Sequence, residues 1–433
     1  MVDATLPTSA ARTSGLPVDP RSAPVPSPIL PGEHFAAALV FFVVGALGLR
    51  EVATDLAAGV FFAPRVVAVV HLFTLGWIVT SIFGSLCQFL PVAVGHGLRW
   101  PAAAHVSFAA HVAGVALFVI GVATGRVGFV HAGAGGLTVG FVVFATNLAA
   151  TLAAVRERGL TWWALAGATV FLLVTLAYGV ALATSLYGGG LIGANRFRVV
   201  AVHAHVAIVG FVLPVMVGVA NRLLPMFLLS HGASERAAWA SITMLFAGAA
   251  LLAIPVDVAP RVAVAGALAS GGVVAFLVQA VAYFRHRRRR AIDAGMRLAA
   301  AGLIGLAVAV VVAPFALSRG LWNLHLLSAY FALVLGAIGL FVAGHYFKII
   351  PFLVWYHRFG PLVGTRKVPT VAELYSPRVA HAAGAMLVLG LAALVVGIDT
   401  GVGGLVRAAA IVFAAGAVIE AAVVARVAQR RIA

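Results

Sequence analysis

The chain has 433 residues, 63% hydrophobic and only 9% charged, with a mean hydropathy of +1.10. Soluble domains carry about a quarter charged residues, so a water-facing surface over most of this chain is excluded. The net charge of +17 does not imply nucleic acid, because the basic residues sit in short loops between apolar runs, where they set membrane orientation. A single cysteine, Cys87, excludes an internal disulfide and a cysteine-built metal or iron–sulfur centre.

Residues 1–32 are rich in Pro, Ser and Ala and read as a disordered tail ahead of one membrane domain, 33–433. Apolar runs long enough to span a bilayer then recur at 34–50, 64–91, 103–124, 127–154, 162–187, 198–229, 237–255, 261–284, 297–317, 321–354, 379–397 and 403–427. The runs are continuous rather than alternating, which argues for helices and against a barrel of strands. The expected fold is an all-α membrane protein of about twelve transmembrane helices. With the N-terminal tail inside, 21 of the 29 Lys and Arg residues fall on the inner side, and the loop "RHRRRRAIDAGMR" dominates that bias. This predicts a multi-pass protein of a bacterial-type inner membrane, in contact with the lipid bilayer, with both termini cytoplasmic.

Three of the longest runs share one pattern: "HLFTLGWIVTSIFGSLCQFLPVAVGH" from His71, "HVAIVGFVLPVMVGVANRLLPMFLLSH" from His205, and "FALVLGAIGLFVAGHYFKIIPFLVWYH" from Phe331. Aligned on Pro91, Pro225 and Pro351, they bring Gly76, Gly210 and Gly336 into register, and likewise Gly84, Gly218 and Gly344. The units are 134 and 126 residues apart, which predicts three pseudo-symmetric four-helix units over about 34–154, 162–284 and 297–427.

Histidine is the informative residue, with 14 copies against 12 Asp and Glu together. A histidine inside a bilayer is costly and usually has a partner. His71, His131, His203, His205 and His325 all fall in the outer leaflet, within about 6–12 Å of their helix starts at 1.5 Å per residue. His111 reaches mid-membrane from the opposite side. In His203-Ala204-His205 the two rings point about 200° apart, so one helix offers an imidazole to each of its two sides. His71 and His205 occupy equivalent repeat positions, as an axial pair would. Imidazole suits iron, copper and zinc, and two imidazoles hold a low-spin haem. The candidate cofactor-binding residues are His71, His203, His205 and His325, and the candidate metal ligands are these four and His131. Histidines hydrogen-bonded to backbone carbonyls, or lining a water cavity, are the competing reading. His96, His231 and His357 end helices, where a cation complements the helix dipole. His34, His345 and His381 read as structural, and Glu420 stands nearly alone as a membrane carboxylate.

Twelve helices, three four-helix parts and outer-leaflet histidines resemble the catalytic subunit of haem–copper oxidases. The run "HVAIVGFVLPVMVGVANRLLPMF" is similar to that family's second-helix signature through His205, Pro214, Gly218, Asn221 and Pro225. The run "AAWASITMLFAGAALLAIPVDVA" lacks the family's copper-ligating histidines, and Phe331 stands where the family's tenth helix carries a ligand. The chain is also similar to the NnrS family of haem- and copper-containing membrane proteins, though "VVHLFTLGW" replaces that family's usual second-helix start. The resemblances imply an oxidoreductase-type haem protein, with copper as a further candidate, acting in electron transfer or in a redox response to nitrogen oxides or oxygen. They imply a periplasmic electron donor or other oxidase-type subunits as partners. A transporter of metal or haem using a histidine relay, and an assembly partner of an oxidase, stay open as alternatives.

Overall fold

The structure is a computed structural model that describes residues 27–186, 192, 196–254, 259–289 and 291–431. The expected tail lies largely outside the described residues. Its last part, 29–32, belongs to the first helix instead, where Pro31 is tolerated because the first turn has no intrahelical N–H bonds to lose.

Twelve long helices follow among the described residues: α1 (Ile29–Glu51), α2 (Pro64–Val94), α3 (Pro101–Thr124), α4 (Val127–Ala153), α5 (Leu160–Leu186), α6 (Arg196–Leu228), α7 (Arg236–Leu252), α8 (Ala259–Arg285), α9 (Ala294–Arg319), α10 (Leu324–Val354), α11 (Pro377–Thr400) and α12 (Gly403–Gln429). No strand is found among the described residues. Eleven of these helices are long and apolar enough to cross a bilayer, and α7 is a shorter apolar helix of 17 residues. The chain is an all-α, multi-pass membrane protein.

The helix ends depart from the hydropathy-based bounds where capping chemistry takes over. Asp293 caps α9, accepting from Met296 N at 3.1 Å, and so starts the helix ahead of the apolar run. Asn323 does the same for α10, accepting from Leu326 N at 3.0 Å, and delays its start past 321. Pro101 and Pro377 open α3 and α11 at positions where a missing N–H costs nothing.

Each helix packs against the next in sequence, and α12 returns to pack against α1. Because successive helices run in opposite senses, the start of α1 shares a face with the ends of α2, α6 and α8. This is the arginine-rich face, where Arg289 donates to the Phe227 carbonyl. Near it, α2, α6 and α10 are held together by an apolar plug of Phe89, Ala93, Leu223, Phe227 and Ile349. Lys348 lies over the Phe227 ring at 5.2 Å and pairs with Asp293 at 2.5 Å.

Glycine sets how closely the helices approach. A Cβ at Gly84 would meet His34 Cβ of α1 at 2.6 Å, one at Gly218 would meet Ala164 Cβ of α5 at 2.7 Å, and one at Gly344 would meet the Gly295 carbonyl of α9 at 2.4 Å. Each of these register glycines is thus a crossing point with the preceding helix.

Two of the central helices are not regular. In α2 a π-helical stretch, Leu72–Val79, begins immediately after His71, and in α6 another, Val206–Val212, begins immediately after His205. The causes are local. Pro214 lacks the N–H that would serve a carbonyl one turn back. In α2 the Leu75 carbonyl is served instead by the Thr80 hydroxyl at 3.0 Å and by His111 Nε2 at 3.1 Å. In α10 the register position holds Phe331, and the α-helix runs unbroken from Leu324 to Val354.

Candidate outer-half histidine site

The lower halves of α2, α6 and α10, nearer the arginine-rich face, are almost continuously buried, whereas their upper halves are not. Val70, His71, Phe73, Thr74 and Leu75 are half-buried, as are His203 and His205, and Phe331 to Leu333. His71, His203 and His205 are nonetheless surrounded by protein. The apolar plug thus ties the three central helices together below the level of these half-buried residues.

The structure places the candidate histidines as follows. His71 lies seven residues into α2 and His203 seven into α6, about 10 Å below the helix starts at 1.5 Å per residue. His205 is two residues deeper. His71 and His203 interact electrostatically, while His205 packs edge-on against Phe331 at 5.8 Å. The register position makes His71 and His205 equivalent, while the electrostatic interaction of His71 is with His203. This follows from the two-residue spacing: His203 turns to α5, its Nδ1 3.1 Å from the Thr175 carbonyl and its ring against Gly179, and His205 turns to α10. His325 lies in the first turn of α10 with Nδ1 3.0 Å from the Ile398 carbonyl of α11, so it joins the rim rather than the centre. His131 is exposed on α4 and turned away from these rings.

Each of the four inward histidines has its Nδ1 on a backbone carbonyl: His71 on Val67 at 2.7 Å, His205 on Ala201 at 2.7 Å, and His203 and His325 as above. A carbonyl accepts only, so Nδ1 carries the proton and Nε2 keeps its lone pair, as in a metal-ligating imidazole; His34, His345 and His381 make the same bond, so it fits the structural reading equally. Aromatic side chains line the approach: Phe61 lies 6.3 Å from Phe331, Phe62 lies 5.3 Å from Phe197, and Phe118 lies 5.0 Å from His71. An apolar wall with a few oriented imidazoles has the chemistry of a haem pocket. Among the described residues, no group of three or more His, Cys, Asp or Glu side chains is gathered to hold a bare metal ion.

The deepest polar groups were not marked as site residues by the sequence. His34, His111 and His345 are 1%, 0% and 6% exposed. Trp77 Nε1 donates to Tyr346 Oη at 3.1 Å, and Tyr346 Oη lies 2.5 Å from Ser81 Oγ, joining α2 to α10 at mid-depth. Hydroxyls and an indole N–H within apolar runs were the available signal. Glu420 is fully buried, with neither carboxyl oxygen hydrogen-bonded.

No protein-family model matches the chain, and no curated protein matches it significantly.

Proposed function

We propose that the protein is a haem-binding integral membrane protein of the oxidase catalytic-subunit type, working in electron transfer or in a redox response to nitrogen oxides or oxygen. The observation that carries this reading is that His71 and His205 each immediately precede a π-helical stretch inside a central helix; a third such stretch, Trp355–Phe359, lies at the end of α10. Such stretches are rare and often occur at functional sites, and the equivalent position without a histidine has none. His71, His203 and His205 would hold the haem, with His205 on the Phe331 side and His325 at the rim. Haem would supply one-electron chemistry there. The chain's own residues fix the imidazole tautomers through the four carbonyls, and the plug ties the three central helices together below them.

In this reading the twelve helices are three four-helix units. The packing of each helix on the next and the repeated glycine crossings onto α1, α5 and α9 support it. The arginine-rich face is the cytoplasmic one, in a bacterial-type inner membrane, so the histidines lie on the side of a periplasmic electron donor or a partner subunit.

The test is an optical spectrum with pyridine extraction on protein purified from haem-replete cells. A Soret band that is lost in His71→Ala and in His203→Ala is expected. No Soret band in the wild type, or one unaltered in the double variant, refutes the proposal. A second reading is a transporter of metal or haem using the histidines as a relay, supported by the free Nε2 that the carbonyl-bonded Nδ1 leaves on each of His71, His203, His205 and His325. Uptake of metal or haem into vesicles, with no haem retained on purification, supports that reading over the first.

A further inference from the structure

From residue 285 to residue 297, at the junction of α8 and α9, the chain carries six arginines and one acidic residue. The backbone of this segment is docked rather than loose. Ser230 and Arg287 form an antiparallel bridge, Arg288 N donates to the Leu229 carbonyl at 3.2 Å, and Arg289 N donates to the Leu228 carbonyl at 3.4 Å. The segment therefore lies against the C-terminal end of α6, and its side chains start from fixed positions.

The guanidiniums divide into two kinds. Arg287 Nη1 donates to the Phe284 carbonyl at 2.7 Å, closing the end of α8. Arg289 Nη1 donates to the Phe227 carbonyl at 3.4 Å and to Asp293 Oδ2 at 3.3 Å. Asp293 is then fully engaged, because Oδ2 also takes Lys348 Nζ at 2.5 Å and Oδ1 takes Met296 N at 3.1 Å. No carboxylate of the segment is left for Arg285 and Arg288. Both are exposed, and among the described residues neither guanidinium has a hydrogen bond or an ion pair.

The surface beside Arg285 is lipid-facing. Val274, Val278 and Val281 are 45%, 56% and 47% exposed, and with Arg285 they follow one another at intervals of four, three and four residues. That spacing puts all four on one face of α8. The 27 residues of α8 rise about 40 Å at 1.5 Å each, the thickness of a bilayer with its headgroups. A valine stripe suited to acyl chains thus ends in a free guanidinium at headgroup level. Arg288 follows within three residues, at most about 11 Å of chain, so both side chains can close on one phosphate. A guanidinium fits a phosphate oxygen pair with two parallel N–H donors, and basic clusters just beyond a transmembrane helix recognise anionic lipids.

We propose that Arg285 and Arg288 hold the phosphate of an anionic phospholipid, with one acyl chain along Val274, Val278 and Val281. Arg287 and Arg289 are positioning residues that fix the segment through the Phe284 and Phe227 carbonyls. A free phosphate or an acidic protein segment would satisfy the guanidiniums but leave the valine stripe unused. A zwitterionic headgroup would bring its ammonium among the arginines. The bound lipid ties α8 to the end of α6, since Arg288 is bonded to Leu229. This assignment is independent of the histidines.

The test uses the full-length protein, delipidated in a neutral detergent and titrated with phosphatidylglycerol or with phosphatidylcholine of the same acyl chains. Retained lipid is counted by native mass spectrometry. The wild type is expected to keep phosphatidylglycerol at concentrations where phosphatidylcholine is lost, and added salt is expected to weaken that retention. Arg285→Gln and Arg288→Gln should each weaken it about fivefold, the worth of one arginine at an anionic membrane surface. Arg366→Gln combined with Lys367→Gln removes two charges from the α10–α11 segment of the same face and should leave retention unchanged. Equal retention of the two lipids, or retention indifferent to salt, overturns the site on the wild type alone. Wild-type affinity in the Arg285→Gln, Arg288→Gln double variant overturns it as well. An equal loss in the Arg366→Gln, Lys367→Gln protein does the same, because the charge of the whole face would then suffice. Displacement of the lipid by equimolar inorganic phosphate or by a polyglutamate peptide overturns the lipid as occupant.

Discussion

Replacing Gly344 by alanine tests how the central helices are held against their neighbours. The added Cβ would lie 2.4 Å from the Gly295 carbonyl oxygen and 2.5 Å from Ala299 N, where real Cβ atoms essentially never come closer than 3.0 Å. Both obstacles are backbone, so no rotamer change relieves them, and α9 and α10 must part by at least the 0.6 Å between 2.4 and 3.0 Å. Membrane helices associate mainly through close packing of small residues, and overpacking of this kind costs about 1–3 kcal/mol. Because the clash is with backbone on both sides, the upper end, about 3 kcal/mol, is expected. Equilibrium unfolding in mixed micelles, followed by far-UV ellipticity, reads the loss. Gly84→Ala and Gly218→Ala meet side-chain Cβ atoms, at 2.6 and 2.7 Å, and are expected to lose about 1–2 kcal/mol. Gly404→Ala, with open space around it, should stay within about 0.5 kcal/mol of the wild type. A Gly344→Ala protein as stable as the Gly404→Ala control would refute the close-crossing argument.

The same unfolding assay checks Tyr346→Phe, which takes the acceptor from Trp77 Nε1 and the hydroxyl partner from Ser81; orphaning a buried donor costs about 1–3 kcal/mol. Glu420→Met is expected to stabilise by about 1 kcal/mol, because the carboxyl is buried without a partner and an apolar group of similar volume is often better tolerated; a clear loss of stability would show that the carboxyl supports the fold. On the arginine-rich face, the Thr370–Glu373 capping box holds the Glu373 carboxyl below the usual carboxylate range, chiefly through the Thr370 backbone N–H. A lowered folded value means that its stabilisation is present above the ordinary carboxylate range and is lost as pH falls through the lowered value. Trp355, whose Nε1 donates to the Pro369 carbonyl at 2.6 Å, should report that loss by fluorescence, and Glu373→Gln should remove the transition.

The helical plan was readable because apolar runs of membrane length leave little choice of fold: eleven of the twelve expected spans are helices long enough to cross a bilayer, and the seventh is a shorter apolar helix. The register of His71, His205 and Phe331 was readable because glycine and proline punctuate the repeat. What α1 packs against was not: His34 looks in sequence like a histidine near a membrane face, and its helix partners show that it is buried. Which histidine faces which helix also lay beyond the sequence, since repeat alignment gives equivalence and not direction: His203 turns to α5 and His205 to α10. Periodicity likewise carries no mark of a π-helical stretch, which depends on Pro214 in one helix and on a histidine from a neighbouring helix in the other.

Those two stretches separate the phases of the helices they interrupt. In an α-helix, side chains above and below any point are locked in rotation at about 100° per residue, so moving a ligand would turn every packing residue with it. A wide turn just below His71 and His205 acts as a clutch, letting the lower half keep its glycine crossings while the upper half aims its imidazoles independently. Deleting one residue from Leu72–Val79 should therefore act on the direction of His71 before it acts on the bundle.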